Sequence, residues 1–139
     1  MRSARVIAGS LAVLASACSQ PVSKAESIDV KMLTGGVKGG GTEAMQKCPV
    51  TVEFDAIVTV SKMTGTLKYR WERSTGVNGP EQSADAPAAA ATGTADIHIR
   101  PDGWPITEQR KQLTVSSLVH VLSPLDVKSQ PLMLDVKCY

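Results

Sequence analysis

Residues 50–60 read VTVEFDAIVTV, and their alternation is the clearest indication of the fold class. Every even position is apolar, from Val50 through Phe54 to Val60, whereas most odd positions are polar. A repeat of two residues places alternate side chains on opposite faces of an extended chain. The stretch therefore predicts a strand with one buried and one solvated face. It is long for a single strand, so we expect a bend or bulge near residues 55–56.

The residues that follow predict further strands of the same kind. Residues 61–65 predict a turn, after which Leu67, Tyr69 and Trp71 alternate with polar residues. This pattern predicts an antiparallel hairpin, with the charges of residues 68–73 on its solvated face. Three more strands are predicted from alternation or continuous apolar runs, at residues 95–100, 113–122 and 132–139. Residues 74–94 predict a long loop, with at most a weak strand inside it.

No segment shows the 3.6-residue period of an amphipathic helix over three turns. The chain is therefore predicted to be all-β. The aromatic residues of the predicted strands, Phe54, Tyr69 and Trp71, are the expected centre of a small core of valine, leucine, isoleucine and alanine.

Three short motifs resemble a known domain family. They are CPV at 48–50, YRWERS at 69–74 and DVKC at 135–138. Residues 48–139 resemble bacterial immunoglobulin-like domains, and the resemblance implies an antiparallel β-sandwich with Trp71 on an inner strand. The chain departs from antibody domains because its two cysteines lie on the first and last strands of the domain.

Residues 1–17 predict a secretion signal peptide. Arg2 and Arg5 precede a nine-residue apolar stretch, and small residues follow at 15–17. The apolar stretch is too short to cross a bilayer, which takes about 20 residues. We therefore expect export from the cytoplasm.

Residues 14–18 read LASAC and resemble the lipobox of bacterial lipoproteins. The resemblance implies that Cys18 becomes the mature N-terminus and carries acyl chains such as palmitate. Ala15 stands where this family usually has leucine, and cleavage after Ala17 by the ordinary signal peptidase is the alternative. Ser19 resembles the sorting signal for the outer membrane, which implies a periplasmic position in a Gram-negative host.

The cysteine count agrees with acylation. Three cysteines in an oxidising compartment leave one without a partner. Acylation of Cys18 leaves Cys48 and Cys138 to form one disulfide that closes the domain. Closing a loop of about 91 residues stabilises a fold by roughly 4–5 kcal/mol on the chain-entropy model.

These observations divide the chain into three parts. Residues 1–17 are the predicted signal peptide, residues 18–47 a flexible lipid-anchored linker, and residues 48–139 the immunoglobulin-like domain. The linker prediction depends on the glycines at 35–36 and 39–41, which favour flexibility. Alternation over residues 28–32 leaves a short edge strand as the alternative for that part.

Charge and motifs exclude several classes of function. Without Arg2 and Arg5 the chain has 13 basic and 13 acidic residues, so we expect no binding to nucleic acid. The two histidines, His98 and His120, lack a clustered third ligand and predict no metal site. Nucleophile-elbow and phosphate-loop motifs are absent from the sequence. We expect neither a cofactor nor catalytic activity.

The sequence PDGWP at 101–105 predicts a turn between two strands. We expect the indole of Trp104 to fold back and cover one end of the sandwich. The alternative is a binding loop, in which Asp102 and Trp104 present an aromatic anchor to a sugar or a protein.

The sequence as a whole predicts a non-catalytic cell-envelope lipoprotein. Its β-sandwich would bind or assemble with an envelope protein through strand edges or loop ends. Two alternatives are a carbohydrate-binding module that uses Trp104 and an inhibitor of a cell-wall hydrolase.

Overall fold

The computed structural model describes residues 22–38, 48–107 and 112–138, together with the backbone of residues 45–46. Only the backbone of Cys138 is described. The predicted signal peptide and Cys18 lie outside the described residues.

The described residues form ten strands and one short 3₁₀ helix. The strands are β1 (Ser27–Val37), β2 (Met45–Gln46), β3 (Val50–Ser61), β4 (Thr66–Arg73), β5 (Gln82–Asp85), β6 (Thr94–His98), β7 (Asp102–Ile106), β8 (Leu113–Ser123), β9 (Val127–Lys128) and β10 (Leu132–Cys138), and the 3₁₀ helix is Ala88–Ala91. The all-β prediction is confirmed.

The strands form two sheets. In the first, β3 pairs with β1 along one edge and with β6 and β7, one after the other, along its second edge. The second has the order β2-β10-β8-β4-β5, and β9 also pairs with β8. The predicted hairpin of β3 and β4 is therefore wrong, because the two strands belong to different sheets. Neighbouring strands are antiparallel except for the short parallel pair of β2 and β10.

The core lies between the two sheets and follows the alternation of the sequence. All the even residues of β3 from Val52 to Val60 are fully buried, and so are Leu67 and Trp71 of β4. The predicted core residues Phe54, Tyr69 and Trp71 are confirmed. This agreement follows because one face of each strand must leave water.

The irregularity expected near residues 55–56 lies at that level, but in the partner strand. Met32 pairs with Ala56 and Thr34 pairs with Asp55, so Leu33 is an extra residue in β1. A bulge of this kind bends an edge strand and increases its twist. β3 itself continues without a break and exchanges β6 for β7 at the same level.

The predicted flexible linker is wrong for the residues of β1. Ile28 is buried, and β1 pairs with β3 along almost its whole length. Gly35 has a packing role, because a Cβ atom there would lie 2.8 Å from the ring of Phe54. The glycine therefore permits close contact between a strand and an aromatic ring, and it does not mark a linker.

The cysteines of the domain lie at one end of the sandwich. Cys48 is buried and lies two residues before the start of β3 at Val50. The backbone of Cys138 pairs with that of Gln46, two residues before Cys48. The Cys138 side chain lies outside the described residues, and the disulfide stays a prediction.

We predict that Gly35→Ala destabilises the protein, because the new methyl group forces the Phe54 ring away from its packing position. Overpacking of this kind costs about 1–3 kcal/mol. Gly103→Ala is the matched control in the same sheet, where a Cβ atom would meet neighbours only at 3.5 Å or more. Urea denaturation measures both variants, and equal stability of the two would contradict the packing role of Gly35.

Candidate functional site

A groove opens between the edge of the first sheet and the edge of the second. Its walls are residues 33–35 of β1 and residues 132–135 of β10, and it encloses about 480 Å³. A second hollow of about 350 Å³ shares Thr34 and Gly35 with the groove and extends along β1 to Lys38. The absence of side chains at Gly35 and Gly36 leaves this region of β1 open.

Two apolar side chains are exposed at the groove. Leu33, the bulge residue of β1, is 38% exposed, and Met133 on β10 is 68% exposed. Large apolar side chains with this exposure on facing strands are one mark of an interaction site. Methionine adapts to different partners because its side chain is flexible and polarizable.

The walls of the groove are strand edges. β10 pairs with β8 through residues 132–136 on one side, and on its other side β2 reaches only residues 137–138. On the side of β1 away from β3, no other strand of the described chain pairs with it. Edges of this kind present backbone N–H and C=O groups that can accept a further strand.

The alternative of a binding loop at Asp102 and Trp104 is wrong. Both residues belong to β7, so the predicted turn is a strand here, and Trp104 is only 6% exposed. Its ring stacks on Phe54 at a centroid distance of 5.2 Å, and the Arg73 guanidinium lies over it at 5.2 Å. An indole buried in this way cannot present a ring to a sugar, which agrees with the expected inward-folded tryptophan.

Asp102 forms a buried ion pair between the two sheets. Arg73 Nε donates to Oδ2 at 2.9 Å, and Arg73 Nη2 donates to Oδ1 at 2.7 Å. Only 17% of the Arg73 side chain and 7% of the Asp102 side chain are exposed. The hydrogen bond to Asp102 raises the pKa of Arg73, although burial opposes this shift. A two-point contact of this type is both strong and directional.

The prediction that Arg73 lies on a solvated face is therefore also wrong. Arg73, like Tyr69 and Trp71, occupies an odd-numbered position of β4, and the side chains at these positions point inward. Trp71 Nε1 donates to the carbonyl oxygen of Arg100 at 2.9 Å, and the backbone N–H of Arg100 donates to the Tyr69 hydroxyl at 3.1 Å. Three inward side chains of β4 thus hold residues 100–102 through four hydrogen bonds.

Trp104 Nε1 is buried, and no group in the described part of the chain accepts a hydrogen bond from it. Trp104 also lines a small cavity of about 120 Å³ with Thr75 and Leu113. The position of this ring therefore depends on stacking and on Arg73, and a hydrogen bond does not fix it.

A second group of charges lies on the outer face of the second sheet. Glu72 accepts hydrogen bonds from His120 Nδ1 at 2.6 Å and from Arg70 Nε at 3.1 Å, and Lys128 Nζ lies 3.3 Å away. His120 Nε2 lies 2.7 Å from a carboxylate oxygen of Asp126. Both imidazole nitrogens can donate only when His120 is protonated.

This environment lowers the pKa of Glu72. Burial raises it, but the hydrogen bonds from His120, Arg70 and Lys128 together outweigh that effect. Within the described ranges no group of three or more His, Cys, Asp or Glu residues is arranged to hold a metal ion. The described residues also contain no helix that is long and apolar enough to cross a membrane.

We predict that Asp102→Ala destabilises the protein by about 3 kcal/mol, because Arg73 would remain largely buried without a counter-charge. Asp96→Ala on the neighbouring strand is the control, since that carboxylate is exposed and bonds only to Thr59 among the described contacts. Chemical denaturation measures both. Equal losses in the two variants would contradict a buried ion pair, and Arg73→Met should recover part of the loss in Asp102→Ala.

We also predict a pH effect at Glu72. A carboxylate with a lowered pKa stabilises the folded state above its ordinary pKa, and this contribution disappears as the pH falls through the lowered value. Melting temperatures measured from neutral to acidic pH should therefore fall less steeply in Glu72→Gln than in the unmodified protein. Glu81→Gln, which removes an exposed carboxylate 4.0 Å from Lys68, should leave the slope unchanged. A Glu72→Gln profile parallel to that of the unmodified protein would refute the effect.

The chain was compared with protein-family models, with curated proteins and with solved structures, and no match was found.

Proposed function

We propose that the protein is a non-catalytic lipoprotein of the cell envelope whose β-sandwich binds a protein partner at the groove between β1 and β10. The observation that carries this proposal is that the edges of β1 and β10 face each other across the groove without pairing, and that Leu33 and Met133 are exposed there. An extended segment of the partner would enter as an added strand. Its backbone would provide affinity, and alternate side chains would provide specificity.

The N-terminal sequence supports the cellular address of this proposal. A basic start, an apolar stretch and small residues precede Cys18, in the order that export and acylation require. Two or three acyl chains would give durable membrane attachment. Ser19 supports sorting to the outer membrane, with the domain facing the periplasm of a Gram-negative host.

The sheet arrangement supports an immunoglobulin-like sandwich closed by a disulfide. Trp71 is buried on a strand within the second sheet, as that family implies. The register of β2 and β10 brings the Cys138 backbone beside Gln46, close in sequence to the buried Cys48. A bond between Cys48 and Cys138 would join the start of β3 to the end of β10.

The carbohydrate-binding alternative is not proposed, because Trp104 is buried. The alternative that the partner is a cell-wall hydrolase, which the protein would inhibit, stays a prediction. Cells that express the protein would then resist added lysozyme better than cells that lack it.

Intact mass of the protein purified from its membrane tests the address and the disulfide together. We expect acyl mass on the peptide that begins at Cys18. We also expect Cys48 and Cys138 to resist alkylation until the protein is reduced. Absence of acyl mass would refute the lipid anchor, and free thiols at both positions would refute the disulfide.

Photo-crosslinking in living cells tests the groove. A photoreactive amino acid at Met133 should give one defined adduct, whereas the same residue at Val77 should not. Val77 is a matched control because it is 66% exposed and lies in the loop after β4. Leu33→Lys should weaken the Met133 adduct. No adduct at Met133, or the same adduct at both positions, would refute binding at the groove.

A further inference from the structure

The first described residues are fixed to one end of the sandwich. The Thr66 backbone N–H donates to Ser23 Oγ at 2.8 Å, and Lys24 and Thr64 exchange two backbone hydrogen bonds. Gly65 has φ +89° and lies so close to Ser23 that a Cβ atom would be 2.5 Å from its hydroxyl oxygen. The described chain is therefore fixed at Ser23 and Lys24 to the turn between β3 and β4.

Only four residues, 19–22, separate Cys18 from Ser23. The five steps along the chain from Cys18 to Ser23 reach at most about 18 Å when fully extended. β3 has 12 residues and a length of about 40 Å, so the reach is less than half the length of the sandwich. A lipid on Cys18 would therefore hold one particular end of the domain close to the membrane. That inference rests on the proposed lipid anchor.

We call this region the anchor end and define it as residues 22–24, the turn 62–65, the segment 86–92 and the turn 124–126. The segment 86–92 reads APAAAAT and contains no charge. Backbone bonds join it to the β3–β4 turn, from Met63 to Ala90 and from Ala86 to Gly65.

Much of the exposed surface of the anchor end is small or apolar. Val22 is 80% exposed, Leu125 is 36% exposed, and the alanines other than Ala90 contribute single methyl groups along the 3₁₀ helix. The anchor end also carries the exposed charges of Lys24, Lys62 and Asp126, and Lys62 lies 3.4 Å from Glu26. The segment 86–92 can meet lipid headgroups without removing a charge from water, and the two lysines would face anionic headgroups.

The sides of the sandwich are less suited to lipid. The outer face of the first sheet carries four carboxylates against two lysines, namely Asp29, Glu53, Asp55 and Asp96 with Lys31 and Lys38. An anionic bilayer would repel this face. The outer face of the second sheet carries the ion pairs of Glu72 with Arg70 and Lys128, whose side chains are 37% and 54% exposed.

We infer that the anchor end is a lipid-contacting surface, on which the domain stands upright with the 3₁₀ helix at the headgroup layer. The short tether supplies the constraint, and the uncharged segment 86–92 supplies the contact. The opposite end of the sandwich then points away from the membrane.

Quenching by spin-labelled lipid headgroups tests this orientation. The full chain is expressed with a fluorophore on a bioorthogonal amino acid at one position, purified, and placed in vesicles of phosphatidylethanolamine and phosphatidylglycerol. We expect quenching at Ala89 to exceed that at Val77 severalfold. Lys31 and Lys68 report on the two sides of the sandwich, and stronger quenching at either of them than at Ala89 would overturn the upright orientation.

A second variant tests the role of the tether. A flexible Gly-Ser insertion after Gln20, longer than the sandwich, should lower quenching at Ala89 to the level at Val77. Unchanged quenching would show that the tether does not set the orientation. Equal quenching at Ala89 and Val77 without the insertion would refute the inference itself.

Intact mass tests natural lipidation, which the proposed function requires, independently of the orientation that quenching measures. A product without acyl mass refutes natural lipidation. Its Cys18 is then coupled to a maleimide phospholipid, and the same quenching series measures the orientation that the tether imposes.

Discussion

The ion pair between Arg73 and Asp102 is the constraint on which the alignment of the two sheets depends. One charge belongs to β4 in the second sheet and the other to β7 in the first. Both are withdrawn from water when the sheets pack together, and each compensates the other. Sliding or rotating one sheet would leave a buried charge without its partner, which costs several kcal/mol. Apolar contacts alone would tolerate such a shift more easily, because they have no direction.

The inward face of β4 also provides hydrogen-bond partners for the chain between β6 and β7. β6 and β7 share one edge of β3, so the residues between them leave the ladder and lose their strand partners. Buried backbone groups need replacements for such bonds. Tyr69 and Trp71 supply them to Arg100, one accepting from its N–H and the other donating to its carbonyl oxygen. The inward face of β4 therefore makes the exchange of strands on β3 possible.

Much of this fold could be predicted because the deciding information is local. Each predicted strand alternates since only one of its faces is buried, and Phe54, Tyr69 and Trp71 are core residues for that reason. The predictions failed at β1 and β7, where residues typical of turns occur in strands. Gly35 is required because a ring approaches from β3, and neighbours in sequence do not reveal that approach.

The predictions that Asp102 and Arg73 are solvent-exposed failed for a related reason. A charge on an inward position is acceptable only when an opposite charge faces it, and here that partner is 29 residues away. The groove was still less predictable. Its apolar side chains, Leu33 and Met133, come from opposite ends of the chain and meet only after both sheets have formed. The sequence indicated strand edges as a class of site, but not which edges face each other.

Exposed apolar strand edges favour aggregation, so an open groove needs a physical explanation. β1 cannot move toward β10 to close it, because Gly35 is in close contact with Phe54, whose ring is stacked on Trp104 beneath Arg73. The packing that aligns the sheets therefore also keeps the groove open. β1 begins at Ser27, three residues after the anchor-end residues 22–24, and reaches the groove at Thr34, a distance of about 23 Å at the rise of an extended strand. On an upright, lipid-anchored domain, the groove would thus be held above the headgroup layer, where a partner can reach it.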